Sequence, residues 1–99
     1  MAGVQDQEVW NGATLPVRLD AATVMQTAVA LRDLAGAPLR LDAGSVRHLG
    51  GLGLELLLRA ERDWRRAGTG FCITPRSAKF DAALTDLGID PMRFNPEPV

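Results

Sequence analysis

The sequence predicts an α/β fold, a small mixed β-sheet with helices packed mainly on one face. Two observations carry this expectation. Short apolar runs of strand length, at 39–42 and 71–74, alternate with stretches of helical periodicity about four turns long. Each of those stretches closes on a glycine, Gly36, Gly68 or Gly88, where a left-handed residue ends a helix. Strands that alternate with helices are joined by right-handed crossovers, which requires a sheet with a substantial parallel part.

Val9-Trp10-Asn11-Gly12-Ala13-Thr14-Leu15 sets Asn-Gly between two apolar runs, which predicts a hairpin. Its second arm, 14–19, contains Pro16 and suits an edge or a bulge. Asp20 is placed to cap a helix over 21–35 with Val24, Ala28, Leu31 and Ala35 on one stripe. Gly36 stops that helix and Pro38 prevents its continuation. After the strand at 39–42, a second helix starts at Gly51 or Leu52 and runs to Ala67. Its inner face is expected to carry Gly53, Leu56, Leu57, Ala60, Trp64 and Ala67. The strand at 71–74 is broken by Pro75, and Ser77 caps a third helix with Phe80, Ala83, Leu84 and Leu87 inward. Gly88 ends it, and Ile89 is placed to fold back on Leu84 in a Schellman closure. Residues 92–94 form a last short strand or a cover for the core, and 95–99 a loose tail.

Composition narrows the function. Ninety-nine residues support one domain with one core, here about 9–94. A net charge of −1 supplies no global attraction to nucleic acid or to an anionic membrane. No apolar run approaches the roughly 20 residues that cross a bilayer, so no membrane insertion is expected. Residues 1–8 are polar and slightly acidic, unlike a signal peptide or a basic targeting segment. The single cysteine, Cys72, falls in a strand and suits a reducing, cytoplasmic setting. One histidine and one cysteine cannot supply the usual four ligands of a structural zinc site. A Cys72–His48 nucleophile pair is outweighed by the reading of Cys72 as a small core residue. No cofactor and no catalytic activity are expected.

The informative stretch is Leu41-Asp42-Ala43-Gly44-Ser45-Val46-Arg47-His48-Leu49-Gly50-Gly51-Leu52-Gly53-Leu54, in which a strand, a turn and a glycine cluster lead into the leucine-rich helix. It is neither a P-loop nor a dinucleotide fingerprint, since no Lys-Ser or Lys-Thr follows and the glycine spacing is wrong. The run resembles the signature of STAS domains, the fold of bacterial anti-sigma-factor antagonists, which reads roughly Leu-Asp-x-Ser-x-Val-x-x-Ile-Asp-Ser-Ser-Gly-Leu-Gly. Leu15-Pro16-Val17-Arg18-Leu19-Asp20-Ala21-Ala22-Thr23 resembles the family's Gly-x-Leu-Asp-x-x-Thr, with Val17 in place of glycine. Gly68-Thr69-Gly70-Phe71-Cys72-Ile73-Thr74-Pro75 resembles its Gly-Gly-x-Leu-x-Leu segment and later proline. The likeness covers 15–89.

It implies a single STAS domain that binds a protein. The implied partner is a histidine-kinase-type ATPase, either an anti-sigma factor or a chemotaxis kinase. The leucine-glycine-glycine run favours the chemotaxis side. The alternative is an auxiliary subunit of an ABC-type phospholipid transporter. In the family a kinase phosphorylates the serine that aligns with Gly51, so this phosphoacceptor position is lost here, and the preceding Asp aligns with Gly50. Ser45 is the nearest serine.

The residues themselves suggest where a partner would dock. Gly50 and Gly51 bare the backbone at the helix start, and Leu54 and Leu58 lie one turn apart off the expected inner face. Continuing their stripe reaches Glu61, Arg62 and Arg65, a charged fringe around an apolar centre. Gly50, Gly51, Leu54, Leu58 and Arg62 are therefore the candidate partner-binding residues. Arg59, Arg62, Arg65 and Arg66 form a positive cluster near the helix C-terminus, where the helix dipole favours cations. His48 precedes the glycines in the loop.

Overall fold

The computed structural model describes residues 9–96. The elements run β1 (Asn11–Thr14), β2 (Arg18–Leu19), α1 (Val24–Arg32), β3 (Leu39–Ala43), β4 (His48–Leu49), α2 (Gly51–Arg66), β5 (Phe71–Arg76), α3 (Ala78–Asp86) and a 3₁₀ turn (Pro91–Phe94). The expectations for residues 1–8 and 97–99 lie outside the described residues.

All strand pairing among these residues is parallel. β1, β3 and β5 form one sheet in that order, and β2 pairs with β4 in a second. The expected hairpin is not formed, and with it goes the expected mixed sheet. An Asn-Gly hairpin turn needs positive φ at both residues, yet the described residues with positive φ are Gly36, Gly68 and Gly88 alone. Asn11 and Gly12 are instead extended in β1, with the Asn11 amide donating to the Pro38 carbonyl at 2.8 Å. The Asn11 side chain donates to the Leu34 carbonyl at 3.0 Å. Pro16 lies between β1 and β2, where the chain leaves one sheet for the other.

The register explains the layering. Asn11, Leu39 and Phe71 form one row and Ala13, Leu41 and Ile73 the next row of the same face. Leu39, Leu41, Ala43, Phe71 and Ile73 are buried there, in one core with Leu31 of α1, Leu57, Ala60 and Trp64 of α2, and Phe80 and Leu84 of α3. The helices thus cover one face, as expected. The alternate row carries Gly12, Arg40 and Cys72.

α1 is shorter than predicted. Asp20 organises a turn rather than the helix proper: its carboxylate accepts from the Ala22 amide at 3.0 Å, while its carbonyl accepts from Thr23 and Val24. The Thr23 hydroxyl donates to the Arg18 carbonyl at 2.8 Å, which explains the Leu-Asp-x-x-Thr spacing. The helix begins at Val24 and ends at Arg32, and the chain unwinds through turns to Gly36. Leu31 and Thr27 are buried, Val24 and Ala28 are half-buried, and Ala35 is exposed, so the expected stripe holds only in its middle.

The orientation of α2 is set by Gly53. A Cβ there would run into the Leu19 carbonyl oxygen and lie 2.8 Å from Leu19 Cγ, so the helix can approach β2 only because this residue lacks a side chain. The buried residues of α2 are Gly53, Leu54, Leu57, Ala60, Glu61 and Trp64. Leu54 and Glu61 therefore belong inside, whereas Leu56 is half-buried and Ala67 exposed. Trp64 tilts against Phe71 at a centroid separation of 6.2 Å and donates its indole N–H to the Ala37 carbonyl at 2.9 Å. Both α2 and α3 end in Schellman motifs. Thr69 N–H bonds the Trp64 carbonyl and Gly68 N–H that of Arg65, and Ile89 bonds Leu84 while Gly88 bonds Thr85.

β5 continues through Pro75 rather than breaking there. Leu41 pairs with Ile73 and Ala43 with Arg76, so β5 carries an extra residue in a bulge that absorbs the missing proline amide. Ser77 caps α3 as expected, accepting from the Phe80 amide at 3.0 Å, and its hydroxyl also donates to the Val46 carbonyl. Leu87, expected inward, is exposed at the C-cap. Residues 91–94 cover the core, with Phe94 fully buried, and form no strand. Asn95 is not loose, because its side-chain oxygen accepts from Arg76 Nη1 at 2.6 Å.

Candidate functional site

The start of α2 combines an exposed backbone with an apolar floor. Gly50 is the N-cap in extended conformation, and no side chain caps the helix. Its amide donates to the Leu19 carbonyl at 2.9 Å, which ties the helix start to β2. Gly51 is exposed, and nothing lies within 4 Å of a Cβ built there. A side chain at Gly51 would project into open space, in contrast to Gly53 two residues later.

Four of the five residues predicted to bind a partner come together. Gly51, Leu54, Leu58 and Arg62 line one shallow depression with Glu55 and Arg59. Gly50 stands at its head, half-buried against Asp20. One expectation fails: Leu54 is only 8 % exposed and belongs to the core. The close approach at Gly53 rolls the helix so that Leu54 turns inward. Leu58 is half-buried and packed on the core from the edge of the depression. The exposed leucine of the first turn is Leu52, at 52 %. Sequence reasoning missed it because leucine also stands at 54, 56, 57 and 58, so that helical spacing alone leaves the roll of the helix undetermined. Met25 and Val29, one turn apart on α1, are likewise exposed and were not anticipated.

The charges divide into surface pairs and one anchored group. Glu55 and Arg59 pair at 3.2 Å and Arg62 and Asp63 at 3.9 Å, all well exposed, where such pairs contribute little. Glu61 differs. Predicted on the exposed stripe, it is buried, and its carboxylate takes Arg93 at 2.8 Å and Arg65 at 3.3 Å. Part of the arginine cluster is therefore neutralised from within. His48 lies exposed in β4 rather than in a loop. Cys72 is registered against Arg40 and buried, and that burial pushes its thiol pKa up, with the Arg40 charge partly opposing.

Compared with protein-family models, curated proteins and solved structures, the chain matches none. Among the described residues no helix is long and apolar enough to cross a membrane.

Proposed function

We propose that the domain works by docking a protein on the first turns of α2, as a non-catalytic signalling module of the kind the STAS resemblance implies. The partner on this reading is a histidine-kinase-type ATPase, an anti-sigma factor or a chemotaxis kinase. The observation that supports it is Gly51: exposed, uncapped, beside the Leu58 and Arg62 depression, and without the hydroxyl that a kinase would modify. A module so built stays in the unphosphorylated, binding-competent form at this position.

Affinity purification of the tagged protein, with mass spectrometry of what accompanies it, tests the partner class. A histidine-kinase-type ATPase is expected; an ABC ATPase would replace this reading with the transporter one. With the purified partner, Gly51→Glu is expected to weaken binding at least about tenfold while the fold survives, since a carboxylate is tolerated at a helix start. Incubation with that kinase and ATP is expected to leave residues 44–51 free of phosphate. Phosphorylation of Ser45 that controls binding would overturn the constitutive reading.

A further inference from the structure

A second feature lies apart from the α2 start. β3 and β5 are parallel neighbours, so the loop after β3 and the start of α3 after β5 emerge side by side at the carboxyl end of the sheet. Between the two segments lies a crevice of about 450 Å³ lined by Val17, Ser45, Arg47, Ser77 and Lys79 among others. Among the described residues no aspartate or glutamate lines it.

The charges there are uncompensated. Neither Arg47 nor Lys79 has an ion-pair partner among the described residues. The acids on adjoining segments are engaged elsewhere: Asp42 accepts from the Gly44 amide at 2.8 Å, and Asp81 pairs with Arg76 at 2.8 Å. Ser77 donates its hydroxyl to the Val46 carbonyl and accepts from the Phe80 amide, whereas the Ser45 hydroxyl is exposed and has no hydrogen-bond partner among the described residues. Two unpaired cations of different geometry and a free hydroxyl, with no carboxylate facing them, suit a compact dianion. The first-turn amides of Ala78 and Lys79, which have no intrahelical acceptor, add to the same polarity.

We infer that this crevice binds a phosphate monoester, its phosphate held by Arg47 and Lys79 with the Ser45 hydroxyl. A bare phosphate would occupy only a small part of the space, which leaves room for the group that carries it. The inference does not rest on the docking role of α2.

Titration of the ¹⁵N-labelled full chain tests it, with inorganic phosphate and glycerol 3-phosphate as probes and sodium chloride at matched ionic strength as control. Saturable amide shifts confined to residues 44–47 and 77–79 are expected with both probes and not with chloride. Arg47→Ala and Lys79→Ala are each expected to weaken binding roughly tenfold, since each removes a charge-assisted contact. Both side chains are exposed, and unchanged amide spectra elsewhere would show that the variants fold. Saturation by phosphate but not by glycerol 3-phosphate would overturn the monoester assignment. Shifts that fail to saturate, that chloride reproduces, or that survive both substitutions would overturn the site.

Discussion

The carboxylate of Glu61 on α2 takes the guanidinium of Arg93, 32 residues later, through Nε at 2.9 Å and Nη2 at 2.8 Å. The two ends of this pair sit in different surroundings: the Glu61 side chain is 5 % exposed and that of Arg93 50 %. The pair fastens the 3₁₀ turn, and with it the fully buried Phe94, against the helix.

That asymmetry predicts unequal costs. Arg93→Met leaves the buried Glu61 carboxylate with Arg65 as its remaining ion-pair partner among the described residues and is expected to cost about 2–4 kcal/mol. Glu61→Gln leaves the arginine free to turn to water and is expected to cost about 1 kcal/mol. Urea denaturation of both variants checks the order. Equal losses would mean that the pair acts as a surface bridge.

The two glycines of the first α2 turn should separate cleanly. Gly53→Ala forces a methyl group into the Leu19 backbone and is expected to lose about 1–3 kcal/mol. Gly51→Ala meets nothing and should be neutral or gain up to about 1 kcal/mol from better helix propensity. Thermal melts of the two variants would read the contrast directly, at about 4–8 °C per kcal/mol for a domain of this size.

Leu54, expected at the surface, lies in the core, and Leu52 is the leucine of the first α2 turn left in solvent. Leu54→Asp buries a charge in the core and is expected to unfold much of the population, not merely to disturb a surface. Leu52→Asp should change stability by no more than about 0.5 kcal/mol. Leu57→Ala, fully buried, is expected to cost about 2–5 kcal/mol. Circular dichroism with denaturant titration distinguishes the three; a folded Leu54→Asp variant would contradict the roll of α2 described above.

Cys72 should be inert in the folded chain. The residue is 1 % exposed, and its thiol pKa is raised above the ordinary 9.0 by burial, with Arg40 partly opposing. Iodoacetamide at neutral pH is expected to label it only after unfolding. The sign of the pH effect follows from the direction of the shift. Well below pH 9.0 both states hold the proton and its contribution to stability is complete. As pH rises past that value the unfolded chain releases a proton that the folded chain keeps, so stability falls. Urea midpoints on either side of this range should show the decline, and Cys72→Ala should remove that part of it.

Features that depend on neighbours within a few residues are legible in the sequence. The Schellman ends at Gly68 and Gly88, the Ser77 cap, the strands beginning at Leu39 and Phe71 and the burial of Leu57 and Trp64 all follow from local rules. The glycine-rich start of α2 was legible in the same way, as was the helical spacing that puts Leu58 and Arg62 on one stripe. Tertiary structure decided the rest. Asn11-Gly12 has the chemistry of a turn, but the parallel ladder offered by β3 satisfies their backbone better than an isolated hairpin can. Pro75 is a strand breaker until a bulge makes its missing amide harmless. The roll of α2 could not be read from a helix with leucine on nearly every side. It was set by a contact between Gly53 and Leu19, 34 positions apart in the numbering, and that one approach placed Leu54 and Glu61 inside and left Leu52 in solvent.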